Sequence, residues 1–322
     1  MSRSTGLGLA VLSAISFGLS GPFGKALIDA GWSSNGALLV RVGGSTVVLL
    51  AILAVTRPGV LASIRRDGAR MVLYGAFAIA GAQGSYFNAV RYLPVPIALL
   101  LEYTGPILVI GWVWLVRRQP PTGRTLAGGA IALVGLTMVV QVWTGGGLAW
   151  QGLVWGFSAA VCQSVYFLLP DLSASGNGDS PGTPPLVLAG LGMAIGTVLI
   201  TLLGLFGVLP VVISTDVTSV VLAGFNVGWV FTAAFLVLVP TVLAYTAGIA
   251  AIGQIGSARA SLIGLLEVVT AAVAAWLLLG ETPTPIQAVG GALILAGVAL
   301  TTPSPGAEPA EPLPMLGETT RE

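Results

Sequence analysis

The chain has 322 residues, of which 55% are apolar and only 8% are charged, with a formal net charge of +1 and a mean hydropathy of +0.96. Soluble domains carry about 25% charged residues, so this composition excludes a water-soluble globule and predicts a polytopic helical membrane protein. With no His and a single Cys, the chain excludes an intrachain disulfide, a histidine-ligated metal site and a Ser-His-Asp triad. The sequence has no basic run of the kind that binds nucleic acid.

Ten apolar runs are each long enough to cross the hydrocarbon core of a bilayer, which takes about 20 helical residues. We expect the first run to be a retained helix rather than a signal peptide, because no small-residue cleavage site follows a short apolar core. The sequence therefore predicts an all-α protein with ten transmembrane helices. In chain order the predicted spans are 7–28, 36–55, 70–89, 95–116, 125–142, 150–169, 186–208, 228–250, 259–279 and 286–301.

The distribution of Lys and Arg predicts the orientation. Ten of the 13 cations fall in connections on one side if the N-terminus is cytoplasmic. Because cytoplasmic loops carry the excess of basic residues, both termini are predicted to be cytoplasmic. The Pro/Glu-rich residues 302–322 are predicted to be a disordered cytoplasmic tail.

The two halves of the chain show internal repetition. Sliding 98–139 against 260–301, an offset of 162 residues, gives 11 identities in 42 positions. Each half holds five predicted helices, an odd number, so the second half enters the membrane from the opposite side. The sequence thus predicts two inverted repeats, 7–142 and 150–301. The matches include Trp114 with Trp276, Pro121-Thr122 with Pro283-Thr284, and Gly128-Gly129-Ala130 with Gly290-Gly291-Ala292.

These features resemble a known family. The run WLLLGETPTP at 276–285 and the run GGALILAG at 290–297 are similar to the EamA repeat of the drug/metabolite transporter (DMT) superfamily. More narrowly, 101–106 and 41–44 resemble the threonine/homoserine exporter branch. One departure is Val268, which stands where the family often has Pro, so the pattern does not by itself predict a helix break there.

The resemblance implies an inner-membrane secondary transporter that moves small organic solutes and exports them, with amino acids such as threonine or homoserine as the first candidates. It implies no cofactor, and it leaves a homodimer open. Because the sequence holds no Walker A motif to bind ATP, transport is expected to use an ion or substrate gradient.

Two carboxylates lie at membrane depth. Glu102 falls seven residues into the fourth predicted span and Glu267 eight residues into the ninth, which places both roughly 10 to 12 Å deep. A charge at that depth costs about 2.5 to 3.5 kcal/mol on insertion scales, so both should face the bundle interior or a wet cavity. One carboxylate would bind a substrate amine or take up a coupling proton. The alternative is that each pairs with Arg41, Arg259 or a Tyr and only orients helices.

Arg41 lies about six residues into the second predicted span. It would hold a substrate carboxylate by a two-pronged hydrogen bond; the alternative is outward snorkelling or a pair with Glu102. Lys25 and Asp29 are predicted to form an i,i+4 surface pair. Further polar and aromatic candidates would line the cavity, or else join helices to one another. They are Tyr103, Tyr86, Asn88, Gln83, Gln163 and Tyr166.

The leading hypothesis from the sequence is therefore an exporter that works by alternating access between its halves. The alternatives within transport are an importer or a multispecific efflux protein. A more distant alternative is an intramembrane enzyme that uses Glu102 as acid or base, although no nucleophile-base pair or metal cluster accompanies that carboxylate.

Overall fold

A computed structural model describes residues 3–56, 60–89, 92–93, 95–141, 143, 149–174, 183–207, 210–214 and 219–301. These residues form a bundle of apolar helices with one short hairpin; the predicted tail, 302–322, lies outside them. The helices are α1 (Arg3–Gly18), α2 (Ser20–Asp29), α3 (Ser34–Thr56), α4 (Val60–Leu73), α5 (Ala82–Ala89), α6 (Val95–Glu102), α7 (Gly105–Arg117), α8 (Gly123–Val140), α9 (Trp150–Ala174), α10 (Pro185–Leu205), α11 (Trp229–Val237), α12 (Ala244–Ile255), α13 (Ser257–Gly264), α14 (Leu266–Leu279) and α15 (Pro285–Thr301). The strands are β1 (Ser219–Leu222) and β2 (Phe225–Gly228).

Within the described ranges, eight helical segments are long and apolar enough to cross a membrane. The last predicted span corresponds to α15, which is apolar but has only 17 residues. The third predicted span, 70–89, lies in a continuous helical run that starts at Val60 and includes a π-helical segment, Tyr74–Gly81. The chain is thus a helical, multi-pass membrane protein by length and composition.

The all-α prediction is confirmed for the bundle, to which one short hairpin is added: β1 and β2 pair antiparallel. Alternating β-branched and apolar residues favour strands there, and the turn residues Ala223 and Gly224 both have positive φ, at 51° and 78°. Val220 and Leu222 are buried against α2 and α11, and the Ala223 N–H donates to the Leu278 carbonyl at 2.6 Å. The hairpin therefore covers one end of the bundle.

Two predicted spans are broken at the same place in the proposed repeat. α6 ends at Glu102 and α13 ends at Gly264, 162 residues later. In the first case Pro106 lacks an N–H for the carbonyl of Glu102, four residues back, and its ring clashes with that carbonyl. In the second case Val268 replaces the proline, yet the helix still breaks at Leu265 through i,i+3 hydrogen bonds.

The connections after these helices are also alike. Arg118 and Gly280, again 162 residues apart, both adopt left-handed backbone conformations that end α7 and α14. Thr122 then caps α8, its side chain accepting from the Thr125 N–H, and Thr284 accepts from the Gln287 N–H at the start of α15. A left-handed Arg is less favourable than Gly, so the common loop conformation overrides the local preference.

A π-helical segment, Leu238–Leu243, joins α11 to α12 around Pro240. The proline cannot donate to the Leu236 carbonyl, and the Thr241 hydroxyl donates to that carbonyl instead, at 2.9 Å. A hydroxyl one residue after Pro240 thus satisfies the freed backbone group.

α8 and α15 pack closely along a glycine seam. A Cβ at Gly128 would lie 2.5 Å from the Gly297 carbonyl oxygen, and a Cβ at Gly135 would lie 2.5 Å from that of Gly290. The early glycine of one helix meets the late glycine of the other, so the two helices are antiparallel. Glycines let the backbones approach in this way without a hydrophobic driving force.

Gly135→Ala is expected to lower the free energy of unfolding in detergent by about 1 to 3 kcal/mol, because the new methyl group meets backbone atoms of α15 that cannot rotate away. Gly111 on α7 has nothing within 4 Å of a Cβ position, so Gly111→Ala is the matched control and should not destabilise the protein. Thermal unfolding of the purified variants compares the two. Equal unfolding temperatures would contradict the packing described for α8 and α15.

A polar cluster joins α4 to the residues before α10. The Asp67 carboxylate accepts from the Thr183 hydroxyl at 2.7 Å, from Arg66 Nε at 2.9 Å and from Arg70 at 3.4 Å. Asp67 precedes the predicted span 70–89. Burial alone would raise the pKa of this carboxyl, but the hydrogen bonds from Thr183 and Arg66 and the nearby guanidinium charges lower the pKa below 3.8.

We therefore expect acidification to weaken the Asp67 cluster. A carboxyl whose pKa is lower when folded contributes its full stability above the unfolded pKa, near 3.9, and loses it as pH falls through the folded pKa. Asp67→Asn should cost about 1 to 2 kcal/mol at pH 7 and should unfold with a smaller acid-induced loss than wild type. Thermal unfolding from pH 7 to pH 3 measures both; parallel pH profiles would contradict the expectation.

Candidate functional site

A cavity of about 790 Å³ lies within the helical bundle, lined by residues of α1, α2, α3, α9, α12, α13 and α14 among others. At one end it reaches Lys25 and Glu281. Its far end is lined by Ala10, Ile252 and Ala260. Eight of the nine candidate residues named from the sequence line it, namely Arg41, Gln83, Tyr86, Glu102, Tyr103, Gln163, Tyr166 and Glu267.

The ninth candidate, Asn88, does not line the cavity. Its side-chain amide donates to the Gly84 carbonyl, one turn back on α5, at 2.8 Å. The Asn88 amide is therefore hydrogen-bonded to a backbone carbonyl of its own helix and contributes to helix structure, as polar side chains at membrane depth often do.

Both membrane carboxylates face the cavity from broken helices. Glu102 is the last residue of α6 and is 9% exposed, whereas Glu267 lies in the first turn of α14 and is half-buried. The positive end of a helix dipole favours a carboxylate in the first turn, and the negative end disfavours one in the last turn. The two acids thus occupy different electrostatic environments in the same cavity.

The pairing of the glutamates with arginine, left open by the sequence, is not seen among the described residues: neither carboxylate has a Lys or Arg nitrogen within 4.0 Å. Arg41 is close enough to attract both, and the two acids repel each other. The Nε atom of Arg41 is buried with no hydrogen-bond partner in the described part of the chain. The three charged groups thus line one cavity, and no two of them form a direct ion pair.

Two neighbouring side chains complete the polar wall. The Tyr103 hydroxyl, on the turn that follows α6, faces the Glu267 carboxylate. The Gln163 Oε1 atom, on α9, is buried without a hydrogen-bond partner among the described residues. Gly105 leaves room for it, since a Cβ there would lie 2.6 Å from that oxygen. The cavity therefore presents an acceptor that no donor in the described part of the chain satisfies.

An aromatic wall faces these polar groups, and sequence reasoning named only Tyr166 of its members. Phe17 and Tyr245 stack edge to face with ring centroids 4.8 Å apart, and Tyr166 meets Phe167 at the same distance. Gly248 is required beside this wall, because a Cβ there would overlap the Tyr166 hydroxyl. No sequence signal separates Phe17 and Tyr245 from lipid-facing aromatics.

Charged side chains surround the open end of the cavity. Lys25 Nζ lies 3.1 Å from Asp29 on the same helix, which confirms the predicted i,i+4 pair. The same nitrogen lies 4.0 Å from Glu281, just beyond α14. The sequence analysis missed the second contact, because residues 256 apart in sequence give no local signal of it.

The sequence profile of the EamA-like transporter family matches the chain over residues 4–141 and again over residues 150–302. The chain belongs to the EamA-like transporter family. The family match covers nearly the whole chain and confirms the resemblance to the drug/metabolite transporter superfamily. The cavity and its charged groups are thus those of a membrane transporter.

The chain is similar over most of its length to two curated proteins. A protein of Streptantibioticus cattleyicolor described as a "Probable terminal-alkyne amino-acid exporter" is 28% identical over 90% of this chain and 91% of that protein. The uncharacterized inner membrane transporter YicL of Salmonella typhimurium is 22% identical over 90% of this chain and 92% of its own. A solved crystal structure, 19% identical, superposes with a TM-score of 0.64 over 93% of this chain and 95% of its own, a likeness of fold.

Proposed function

We propose that this EamA-family transporter exports amino acids with apolar side chains across the inner membrane by alternating access. The observation that carries the proposal is the set of three charges, Glu102, Glu267 and Arg41, that line one largely apolar cavity and form no ion pair among the described residues. Buried charges are retained in membranes mainly where they serve a pathway or a ligand.

The cavity matches a zwitterion with an apolar side chain. The ammonium group of an amino acid has three N–H donors, and Glu267 and the unpartnered Gln163 oxygen are acceptors for them. The substrate carboxylate is complementary to the Arg41 guanidinium. The side chain then lies against the aromatic wall of Phe17 and Tyr245. The amino-acid exporter of Streptantibioticus cattleyicolor supports the same substrate class.

We assign different roles to the two acids. Glu267 is the ammonium ligand, because the start of α14 and the Tyr103 hydroxyl both stabilise a carboxylate. Glu102 carries the coupling proton, because it is more buried and lies at the unfavourable end of α6. In the empty cavity two acids and one arginine carry a net negative charge that one proton on Glu102 neutralises. The proton therefore enters on the step that returns the empty carrier, and this exchange drives export of the amino acid.

The proposed architecture is ten helices in two inverted repeats, 7–142 and 150–301. The glycine contacts support it, because the repeat offset converts the contact of Gly128 with Gly297 into that of Gly290 with Gly135. The same contacts therefore result if α8 and α15 are interchanged. For two antiparallel helices this symmetry corresponds to a two-fold axis in the membrane plane. The breaks after Glu102 and Gly264 follow the same offset.

The proposed orientation has both termini in the cytoplasm, as the positive-inside rule indicates. In that orientation the end of the cavity that reaches Lys25 and Glu281 faces outward, and the end near Arg117 faces the cytoplasm. The described conformation is then the outward-facing one.

Counterflow in proteoliposomes tests the proposed substrate. Vesicles loaded with unlabelled solute should accumulate the labelled solute transiently for leucine, phenylalanine or a similar amino acid. Threonine and homoserine belong in the panel, with sugars and cationic drugs as competing classes. Exchange of a drug or sugar without exchange of any amino acid would contradict the proposal.

A further inference from the structure

The described conformation is sealed at one end by a polar cluster. Arg117, the last residue of α7, donates to the Asp171 carboxylate of α9 at 3.0 Å. The same carboxylate oxygen accepts from the Ser257 N–H at 3.2 Å and from the Ser257 hydroxyl at 2.8 Å, at the start of α13. This cluster, Arg117–Asp171–Ser257, therefore ties three helices together.

The cluster lies beyond the closed end of the cavity. None of its three residues lines the cavity, whereas Ala260, one turn along α13 from Ser257, does. The side chains of Arg117 and Asp171 are 24% and 11% exposed, so little water competes for the ion pair. For the cavity to open at this end, α7, α9 and α13 must separate and the cluster must break.

A second ion pair stands at the opposite end and is longer and more exposed. Lys25 of α2 and Glu281 after α14 line the cavity mouth, 4.0 Å apart, with side chains 47% and 53% exposed. Lys25 is held instead by Asp29 on its own helix at 3.1 Å. The Arg117–Asp171 ion pair is short and mostly buried at the closed end of the cavity. The Lys25–Glu281 ion pair is longer and exposed to water at the open end.

The two pairs also join corresponding helices. In the repeat order of the proposed function, on which this step rests, Asp171 is on the first helix of the second half and Arg117 ends the fourth helix of the first half. Lys25 is on the first helix of the first half, and Glu281 follows the fourth helix of the second half. Both fourth helices carry one of the cavity carboxylates, Glu102 or Glu267.

We propose that the Arg117–Asp171–Ser257 cluster and the Lys25–Glu281 pair are the two alternating closures of the cavity. In the described conformation the Arg117–Asp171–Ser257 cluster holds the cytoplasmic end closed, while the Lys25–Glu281 pair is long and exposed. In the opposite state Lys25 exchanges Asp29 for Glu281, the outer end shuts, and the cluster opens. Each closure involves a residue at the end of a broken helix that carries a cavity carboxylate. A solute bound to that carboxylate therefore affects the helix that must move when the end closes.

A cysteine reporter in purified, detergent-solubilised protein tests the closures without reference to sidedness. The background is Cys162→Ser, and the reporter is Ser261→Cys, which lies one turn along α13 from Ser257, is 1% exposed and does not line the cavity, so a maleimide cannot reach it through the open end. Arg117→Gln or Asp171→Asn should speed alkylation of the reporter by a maleimide about tenfold or more, the effect of losing a charged hydrogen bond. Arg124→Gln is the matched control: it removes an exposed Arg near the same end with no ion pair among the described residues.

A second change tests the alternation itself. Glu281→Gln weakens only the outer closure, so added to Arg117→Gln it should return alkylation of Ser261→Cys towards the wild-type rate. Asp29→Asn, which removes only the neighbour that competes for Lys25, should not slow it. Ser257→Ala removes one hydroxyl and is the milder variant if the charge changes prevent folding; it should speed alkylation less than Arg117→Gln.

Equal alkylation rates for Arg117→Gln, Ser257→Ala and Arg124→Gln would overturn the closures. An unchanged rate on adding Glu281→Gln would overturn their alternation. Counterflow of amino acids by the wild type is scored separately: exchange without any response of the reporter leaves the proposed function intact and rejects the closures. A responsive reporter without amino-acid exchange rejects the substrate and keeps the closures.

Discussion

Glu267→Gln is expected to weaken the apparent affinity of both net export and counterflow for the transported amino acid. Gln keeps the shape of the side chain but loses the charge that binds the ammonium group, which costs about 1.5 to 3 kcal/mol, or roughly 10- to 100-fold in affinity. Because the acid also faces Tyr103, the loss should be near the upper end. Initial rates of counterflow over a range of solute concentrations measure it.

Glu102→Gln should behave differently. A fixed neutral side chain mimics the protonated state, so counterflow should persist while proton-driven accumulation and its pH dependence disappear. Arg124→Gln, which removes an exposed charge that does not line the cavity, is the control and should retain both activities. If Glu102→Gln and Glu267→Gln lose counterflow equally, the assignment of separate roles is wrong; if both retain pH-dependent transport, the carboxylates are structural.

Arg41→Gln is expected to weaken binding of amino acids by about 10-fold or more while sparing the corresponding amines, which lack the carboxylate. A bidentate guanidinium-carboxylate pair carries directional hydrogen bonds that a neutral amide cannot replace. Competition of counterflow by an amino acid and by its decarboxylated amine gives the ratio directly.

Arg41→Lys is the conservative control for this prediction. Lys keeps the charge but not the planar fork, so it should recover part of the affinity for amino acids. A wild type that prefers the amine, or an Arg41→Gln variant that weakens amines and amino acids alike, would contradict the role of Arg41.

The helices and the acidic cavity were predictable from sequence for a simple physical reason. Runs of about 20 apolar residues have few alternatives to a membrane helix, and a carboxylate within such a run must face polar surroundings. Glu102 and Glu267 therefore stand out in the sequence against an apolar background. Their position in one cavity follows from the need to keep both away from lipid.

Other features left no readable signal. The break at Leu265 occurs without a proline, so only packing and the shared helical geometry account for it. Phe17 and Tyr245 face the cavity, but aromatic side chains elsewhere, such as Phe157 and Phe231, are exposed, so residue type alone does not identify a cavity wall. The contact of Arg117 with Asp171 joins residues 54 apart in sequence, a separation at which charge patterns carry no information.

The hairpin illustrates the limit of hydropathy. Val220 and Leu222 belong to a stretch too short to span a membrane, so hydropathy does not identify it as a structural element. The left-handed residues Ala223 and Gly224 fix the turn, but Ala is an uncommon residue there and does not predict one.

Protection of a cavity cysteine by the transported solute tests most directly that Glu267 and its neighbours form the binding site. Ala271 lines the cavity one turn beyond Glu267 on α14, and Ala271→Cys in the Cys162→Ser background places a thiol beside the proposed ammonium site. The transported amino acid should slow alkylation of this thiol at the concentrations that half-saturate counterflow, and Glu267→Gln should remove the protection. A solute that exchanges normally yet leaves the alkylation rate unchanged would place its binding site elsewhere.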